Sequence, residues 1–342
     1  MTTHIAILGS GANGAAIGAD LTRAGLDAKL IDQWPAHVEA MRTNGLTVEM
    51  PDRTENTSVD AHHLCDIATF TEPLDVVLML FKAYDSRWAS ELIKPHLAED
   101  GVLVGVQNGM TAETIADVVG VERTLGCVIE VASEVYEPGH VVRNSPPDGG
   151  SWFALGALDP AAERHIGPVA EIMAHAGIVE TSDNILAAKW MKLVSNTMTL
   201  ATTALTGLPL DEAERLPGMR ELMLKAGAEA LAAGELRGHP VTPIFGLTPE
   251  EMSNTNQLLE TLHEKLMSFT RPGTRTTVLA DHIKGRRSEA GDVNGAVVET
   301  MVAHGQSAPA NAAVLDITRM IERGEIEPKR ENMDLVRELV AI

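Results

Sequence analysis

Short apolar runs alternate with amphipathic segments through the first half of the chain. The runs lie at residues 5–8, 28–31, 75–81 and 101–106, and a segment with helical spacing follows each of them. Runs of this kind are typical of strands that are buried on both faces of a sheet. The alternation of strand and helix therefore predicts an α/β fold with a parallel, doubly wound sheet.

Two stretches of the first half depart from this alternation. Residues 51–66 are polar and rich in turn signals, which predicts an excursion over the surface. Beyond residue 126 the pattern predicts antiparallel strands joined by turns rich in proline and glycine, at 128–135, 139–143 and 151–158. After these strands, a helix at 161–175 and a short strand at 178–181 are the last elements predicted for the first domain.

The second half of the chain has helical spacing almost throughout from Ile185 onward. Its alanine-rich stretch at 226–233 indicates a tightly packed helix. The sequence thus predicts two domains, an α/β domain at 1–182 and an all-helical domain at 183–342. Helical segments of the second domain are predicted at 210–233, 248–267 and 311–323.

Composition narrows the classes of partner. The 342 residues are 44% hydrophobic, enough for a sizeable core, but only 3% aromatic, so alanine, leucine and valine must provide the packing. The 27 lysines and arginines against 48 aspartates and glutamates give a formal net charge of −21. A field of that sign disfavours nucleic acid and anionic membrane, so local donors must hold any anionic cofactor.

Signals for targeting and for metal binding are missing from the sequence. No basic segment followed by an apolar core stands at the N-terminus, and no apolar run reaches the length of about 18 residues that a membrane span needs. Cys65 and Cys127 are the only cysteines, and no histidine cluster completes a metal site with them. We therefore expect a soluble cytoplasmic protein without a membrane partner, a disulfide framework or a bound metal.

The residues between the first strand and the first helix read Gly9-Ser-Gly-Ala-Asn-Gly14. This is the G-x-G-x-x-G pattern in the context that it requires, with a strand before it and a helix after it. Gly9 permits the tight turn, Gly11 lets the backbone approach a pyrophosphate, and Gly14 lets the helix pack close to its strand. The pyrophosphate then lies on free N–H groups at the positive end of the helix. The pattern predicts a Rossmann-type dinucleotide site formed by Gly9, Gly11, Ala12, Asn13 and Gly14.

The second apolar run closes with Asp32. An acid about 20 residues beyond the glycine motif accepts hydrogen bonds from the adenosine ribose hydroxyls and repels a 2′-phosphate. The following residues are Gln33 and Trp34, so no arginine stands there to bind that phosphate. Asp32 therefore favours NAD as the cofactor, with NADP as the alternative.

Two polar residues follow the next strands of the predicted sheet. Lys82 comes directly after the run at 75–81, and Asn108 comes shortly after the run at 101–106. Ligands of doubly wound sheets lie beyond the carboxyl ends of the strands, so both residues are expected at the edge that carries the glycine loop. Lys82 offers a cation to the dinucleotide and Asn108 an amide to the nicotinamide ribose or the substrate; a solvated lysine and a turn asparagine are the alternatives.

Lys192 and Asn196 stand four residues apart in an otherwise apolar helical segment. That spacing places them on one face of a helix, where an unpaired buried cation would be costly. The pair indicates a lysine that lines a cleft against the first domain. The alternative is a lysine whose stem lies on a core helix and whose ammonium reaches solvent.

Five groups of residues, in this order, resemble the ketopantoate reductase family. The resemblance extends over nearly the whole chain, and the ordered set is specific to the family, whereas no single group is. The groups are Gly9–Gly14, Lys82-Ala-Tyr84, Gln107-Asn-Gly109, Trp190-Met-Lys192 with Asn196, and Gly285-Arg-Arg-Ser-Glu289 followed by Asn294-Gly295.

The resemblance implies a Rossmann domain, an all-helical domain, and reduction of a 2-keto acid in the cleft between them. It implies that Lys192 is the acid that protonates the carbonyl oxygen, and that Glu289 engages the substrate hydroxyl beside this lysine. The chemistry agrees, because carbonyl reduction builds negative charge on oxygen, which an ammonium stabilises and then protonates. The alternative for Glu289 is a surface ion pair with Arg286 or Arg287.

The resemblance also assigns binding residues. Asn196 matches a substrate-binding amide, and Thr277 stands where the family commonly has a serine that contacts the substrate carboxylate. Lys82 and Asn108 match positions that contact cofactor and substrate.

Several features depart from the family pattern. Leu200 stands where the family often has a second asparagine, threonine replaces serine at Thr277, and Asp32 differs from the arginine-bearing pattern of NADP-using members. The stretch at 234–270 is also expected to lengthen the helical domain. Because loss of a hydrogen-bonding group changes discrimination between substrates strongly, the substrate stays open between ketopantoate and another acid.

Three functions are compatible with these residues. The first is an NAD(P)-dependent reductase of a branched or hydroxylated 2-keto acid. The second is an NAD-dependent dehydrogenase that oxidises a different 2- or 3-hydroxy acid, which Asp32 favours. The third is a dinucleotide-sensing protein without catalysis. Apolar faces in the helical domain also make a homodimer possible.

Overall fold

The computed structural model describes residues 2–244, 246–248, 251 and 257–340. The chain forms two compact units, one ending at Leu186 and one beginning at Ala187. Each unit has its own set of secondary-structure elements.

The first unit is an α/β assembly. Its helices are α1 (Ala12–Arg23), α2 (Pro35–Asn44), α3 (Ser86–Ile93), α4 (Thr111–Val119) and α5 (Ile166–Met173). Its strands are β1 (His4–Leu8), β2 (Asp27–Asp32), β3 (Leu46–Glu49), β4 (Thr54–Thr57), β5 (Asp60–His63), β6 (Leu74–Met79), β7 (Leu97–Gly105), β8 (Thr124–Glu130), β9 (Ser133–Glu137), β10 (His140–Arg143), β11 (Trp152–Ala157) and β12 (Ile178–Thr181).

The main sheet has eight strands in the order β12-β11-β8-β7-β6-β1-β2-β5. All neighbouring strands run parallel except β11 and β8, which are antiparallel. The central strands β1 and β6 are buried along most of their length, as their apolar runs predicted. The predicted doubly wound α/β fold is confirmed.

A second sheet with the order β4-β3-β10-β9 explains three differences from the predicted elements. The prediction of a plain surface excursion at 51–66 is wrong, because this stretch contains β4 of the second sheet and β5 at the edge of the main sheet. The single strand predicted at 128–135 is two strands, since β8 belongs to the main sheet and β9 to the second. β10 is antiparallel to β9 but parallel to β3.

The second unit is helical in all of its regular elements that the structure describes. α6 (Ile185–Ala204) leads into it, and the other helices are α7 (Leu210–Ala213), α8 (Met219–Leu236), α9 (Leu258–Phe269), α10 (Thr277–Ile283), α11 (Ala290–Ala303), α12 (Pro309–Glu322) and α13 (Asn332–Leu339).

The helix predictions for this unit hold with changed boundaries. The segment predicted at 210–233 is two helices, because Pro217 and Gly218, with φ +83° at the glycine, separate α7 from α8. The segment predicted at 248–267 lies partly outside the described residues, and its described part is α9. The sequence pattern did not predict α13, which is short and only half apolar.

Small residues let α8 pack closely against α6, as the alanine-rich stretch indicated. A Cβ at Gly234 would overlap the indole of Trp190, and a Cβ at Gly227 would lie 2.9 Å from Met198 Cγ. The Trp190 indole N–H donates to the carbonyl of Ala230 at 2.8 Å, so the buried ring keeps its polar group satisfied.

A buried ion pair joins the first helix to the second sheet. The Arg143 side chain is fully buried, and its Nη1 donates to Oδ2 of Asp20 on α1. Its other nitrogens donate to Ser145 O at 2.8 Å, Ser151 Oγ at 2.9 Å and Ala176 O at 2.8 Å. The guanidinium therefore connects α1, β10 and the segment that precedes β12.

Replacing Arg143 by methionine should lower the free energy of unfolding by about 3–5 kcal/mol, because Asp20 would keep a buried carboxylate without its main counter-charge. Urea unfolding measures the change. Arg87→Met is the matched control: Arg87 pairs with Asp117 at 2.9 Å on the surface, where an ion pair contributes about 0–1 kcal/mol. Equal losses in the two variants would contradict the structural role given to Arg143.

Candidate dinucleotide and substrate sites

The glycine loop leaves β1 and enters α1 under tight backbone constraints. The N–H groups of Gly9 and Ser10 donate to the carbonyl of Ile31 at 2.9 and 3.0 Å. Gly9 has φ +102°, and a Cβ there would stand 2.6 Å from the carbonyl carbon of Leu80. A Cβ at Gly14 would overlap the carbonyl of Gly9. Both glycines are therefore required by the packing of the loop itself.

Gly11 differs from its two neighbours in the motif. It is the N-cap of α1, and a Cβ built on it would meet nothing within 4 Å. Open space over Gly11 at a helix N-terminus fits a pyrophosphate bound on the helix.

The side chain of His37 links the glycine loop to Gly139 by two hydrogen bonds. Its Nδ1 accepts the N–H of Gly139 at 2.9 Å, so its Nε2 carries the proton and donates to the carbonyl of Ser10 at 3.0 Å. The ring is fully buried and stacks on Trp34 with 5.4 Å between centroids. The sequence gives no sign of this role for His37, because only the fold brings its partner Gly139 beside the loop.

Asp32 is the last residue of β2 and is 7% exposed. Its Oδ1 accepts the N–H of Trp34 at 2.8 Å, which orients the carboxylate at the start of the loop before α2. This placement beside the glycine loop fits a carboxylate that accepts from ribose hydroxyls.

Gln107 holds the backbone that carries Lys82. Its Nε2 donates to the carbonyl of Phe81 at 2.7 Å and to that of Lys82 at 3.3 Å, and its side chain also contacts Ser86. Gln107 is 4% exposed, whereas the next residue, Asn108, is half-buried. In the sequence, Gln107 is only one member of a motif. Its spacing from Lys82 gives no sign that its side chain donates to the backbone of Phe81 and Lys82.

The predicted cofactor residues lie at one edge of the sheet. In the strand register, Leu8 lies opposite both Ile31 and Met79, and Met79 lies opposite Gly105. The chain leaves the sheet just after this row in each strand. The structure therefore brings together the residues that follow it, namely the glycine loop, Asp32, Lys82 and Asn108.

The second unit carries the predicted catalytic lysine on α6. Lys192 is half-buried and Asn196 is 3% exposed, one turn apart on one face of the helix. The next residue on this face is Leu200, whose backbone carbonyl accepts a hydrogen bond from Thr276 Oγ1 at 3.0 Å. The N-terminus of α10 is therefore attached to α6 one turn beyond Asn196.

Thr276 and Thr277 have different surroundings. Thr276 is the N-cap of α10, and its Oγ1 also accepts the N–H of Leu279 at 3.2 Å. Thr277, the predicted substrate ligand, is the first residue of the helix and is exposed. The capping role thus falls to Thr276, and the Thr277 hydroxyl lies on the outer side of the same turn.

Glu289 is the N-cap of α11 and is only 5% exposed. Arg286 and Arg287, the two candidates for an ion pair with Glu289, are exposed. The neighbouring Ser288 donates its N–H and its hydroxyl to Glu322 Oε1 at 2.7 and 2.6 Å, which anchors this turn to α12.

Two charged residues near these positions were not found from the sequence. Lys189 is 2% exposed and precedes Lys192 by one turn. Asp292 follows Glu289 by one turn, and burial together with the Glu289 charge raises its pKa to about 6. Lysine and aspartate are common on solvated helix faces, so their sequence positions carried no distinguishing signal.

The described part of the chain has neither a helix suited to a membrane span nor a cluster of side chains suited to a metal ion. None of its helices combines the length and the apolar content needed to traverse a bilayer. Its histidine, cysteine and acidic side chains do not gather into a group of three or more that would suit a metal ion.

A glycine-loop helix at the carboxyl edge of a doubly wound sheet, with an acid at the end of β2, is typical of a Rossmann-type dinucleotide-binding domain. The chain belongs to the ketopantoate reductase PanE/ApbA family. The model of that family matches residues 5–157, and its C-terminal model matches residues 184–322. The family assignment made from the ordered motifs is confirmed.

Individual relatives agree with this assignment. A 2-dehydropantoate 2-reductase of Archaeoglobus fulgidus is 26% identical over 327 residues, which cover 94% of this chain and 98% of that protein. A PanE/ApbA family ketopantoate reductase from Ralstonia eutropha JMP134 is 28% identical, with a TM-score of 0.79 over 94% of this chain and 99% of that one.

A D-mandelate dehydrogenase solved with NADH and anilino(oxo)acetate has a TM-score of 0.81 over 94% of this chain and 99% of that one. At 17% identity this likeness shows the fold alone. The family indicates a nicotinamide cofactor.

Alanine substitutions at two loop glycines should separate binding from folding. Gly11→Ala should fold normally but weaken NADH binding by about tenfold or more, because its Cβ enters the space over the helix N-terminus. Gly9→Ala should instead lower the melting temperature, because its Cβ meets the backbone of Leu80 and Phe81 just after β6. NADH fluorescence titration and thermal unfolding measure the two effects.

Gly167→Ala is the control, since a Cβ there also meets nothing within 4 Å but lies in α5, away from the loop. It should bind NADH like the parent protein. Full NADH affinity in Gly11→Ala would show that the pyrophosphate does not lie over this residue.

Proposed function

We propose that the protein reduces a branched or hydroxylated 2-keto acid with a nicotinamide dinucleotide, and that Lys192 is the general acid. When bound, the dinucleotide supplies the hydride. The protein's own residues then orient the keto acid and deliver the proton to its carbonyl oxygen. The proposal requires the α6 face of the second unit to meet the nicotinamide carried by the first, in a cleft between the units.

The observation that carries this proposal is the α6 face with Lys192 and Asn196. A half-buried ammonium there lies one turn from a buried amide, within a helix whose other positions are largely apolar. Such a cation stabilises the negative charge that develops on the carbonyl oxygen and can then protonate it. Asn196 is suited to hold the substrate, and the buried Glu289 is suited to accept from a substrate hydroxyl.

Binding of the cofactor follows from the residues at the edge of the sheet. The N-terminus of α1 holds the pyrophosphate, Asp32 the adenosine ribose, and Lys82 adds a cation to a site in a strongly acidic protein. Asn108 is placed to contact the nicotinamide ribose or the substrate. The Asp32 carboxylate favours NAD over NADP because it would repel a 2′-phosphate.

The opposite direction is the second candidate. A dehydrogenase that oxidises a 2- or 3-hydroxy acid needs the same residues, with Lys192 accepting the proton that it donates in reduction. Asp32 favours this candidate, because Asp32 favours NAD as the cofactor and NAD usually serves oxidation. NADH oxidation with a panel of keto acids, compared with NAD reduction with the matching hydroxy acids, separates the two.

Lys192→Ala should lower kcat by about 10²- to 10⁴-fold, the range over which a positioned acid contributes, while NADH binding stays intact. The rate of NADH oxidation with the best keto acid of the panel measures the change. Lys225→Ala is the control, because Lys225 lies on α8 in an exposed pair with Glu221 at 3.3 Å. Unchanged turnover in Lys192→Ala would remove the lysine from the mechanism. Tight NADH binding by the parent without turnover on either panel would instead favour the sensor.

Asp32→Asn should shift the cofactor preference toward NADP. The amide oxygen can still accept from the Trp34 N–H, so the substitution removes the charge and leaves the turn in place. The ratio of kcat/KM for NADH to that for NADPH should fall about tenfold or more, as expected for loss of repulsion from a 2′-phosphate. An unaltered ratio would contradict the role given to Asp32.

A further inference from the structure

Asp292 and Glu289 form an acidic pair at the start of α11. Asp292 lies in the first turn of the helix, and its N–H donates to the carbonyl of Glu289 at 3.0 Å. Residues three apart on a helix are neighbours on one face, so the two carboxyl groups lie on the same side of α11. Glu289 is 5% exposed, so the pair lies at a largely buried helix end.

The half-buried carboxyl group of Asp292 is only partly satisfied by hydrogen bonds. Its Oδ2 is buried and has no hydrogen-bond partner. Burial and the Glu289 charge raise its pKa to about 6, and Arg287 opposes them. The positive end of α11 favours an anion here only weakly. A proton on Asp292 relieves both the repulsion and the unsatisfied charge.

Several charged groups of the described residues lie on the elements around the pair. On α11 itself, Glu299 adds to the negative potential at Asp292. From α12, Glu322 accepts two hydrogen bonds from Ser288. From α8, Glu229 accepts from the backbone of Ala310 and Asn311 at 2.8 and 2.9 Å. The remaining charged groups of α12 at this level, Asp316 and Arg319, are exposed.

We propose that Asp292 is a specificity-determining residue that sets the charge of the Glu289 site and thereby the pH range in which an anionic substrate binds. This inference rests on the proposed function, in which Glu289 contacts the substrate. With Asp292 protonated, the site carries the single charge of Glu289. With Asp292 ionised, a second negative charge repels the carboxylate of a 2-keto acid. Substrate affinity therefore falls as Asp292 loses its proton, while the chemical step at Lys192 is little affected.

The first experiment measures KM and kcat for the best keto acid of the panel from about pH 5 to about pH 8. In the parent, KM should rise about three- to tenfold across this range, as expected for one added charge several ångströms from the substrate carboxylate. In Asp292→Asn the rise should be lost and KM should stay low, with kcat within about twofold of the parent. A purely structural role would not remove a pH dependence from KM alone.

Asp316→Asn is the matched control, since it removes one negative charge from an exposed position on the packed helix α12. It should keep the parent's pH dependence. A neutral amide of the same keto acid should show no rise in KM with the parent enzyme. The proposal is wrong if Asp292→Asn keeps the rise, or if the neutral amide shows it as strongly as the acid.

A second readout is independent of turnover. Carbon-13 NMR of protein labelled at the aspartate carboxyl carbons should show one group that titrates near pH 6 and is missing in Asp292→Asn. Its midpoint should fall in Glu289→Gln, where the like charge is gone. If this titration is found but no keto acid is turned over, the proposed function fails and the coupled pair stands. If no such group titrates, the inference on Asp292 is overturned whatever the activity.

Discussion

The close approach of the glycine loop to the backbone that follows β6 is the constraint on which the first unit depends. Gly9 lies so near Leu80 and Phe81 that no side chain fits between them, and β1 is thereby held against its neighbour up to its last residue. The carbonyl of Ile31 accepts both amides at the start of the loop. Because the same contacts fix where β1, β2 and β6 end, they also fix the positions of Asp32 and Lys82.

In the second unit the close contact of α6 with α8 has a comparable role. Trp190 is inserted where Gly234 and Ala230 leave room, and its hydrogen bond to Ala230 sets the rotation of α6 about its axis. Two residues further along, an α-helix has turned by about 200°. Burying the indole against α8 therefore directs Lys192 away from α8. Small residues on one helix thus orient a polar side chain on the far side of another.

The central strands, the glycine loop and the edge residues were predictable because each depends on local sequence. A buried strand reads as an apolar run, and the loop needs glycine at fixed spacing. The strands β4 and β5 were missed because short edge strands alternate and carry polar residues, here Thr54 to Thr57 and Asp60 to His63. His37, Gln107 and Asp292 were missed for another reason. Their roles arise from partners or burial that only the folded chain provides, and the capping role of Thr276 beside Thr277 depends on where α10 begins.

The Arg143–Asp20 pair has a consequence for the order in which the protein matures on the ribosome. Asp20 is made 123 residues before the arginine that neutralises it, and the guanidinium is also held by the carbonyl of Ala176. Domains fold as their segments emerge, N-terminus first, and a buried carboxylate without its counter-charge is strongly unfavourable. The helix that follows the glycine loop is thus among the first segments synthesised, yet it can reach its final position only when nearly the whole α/β unit has left the exit tunnel.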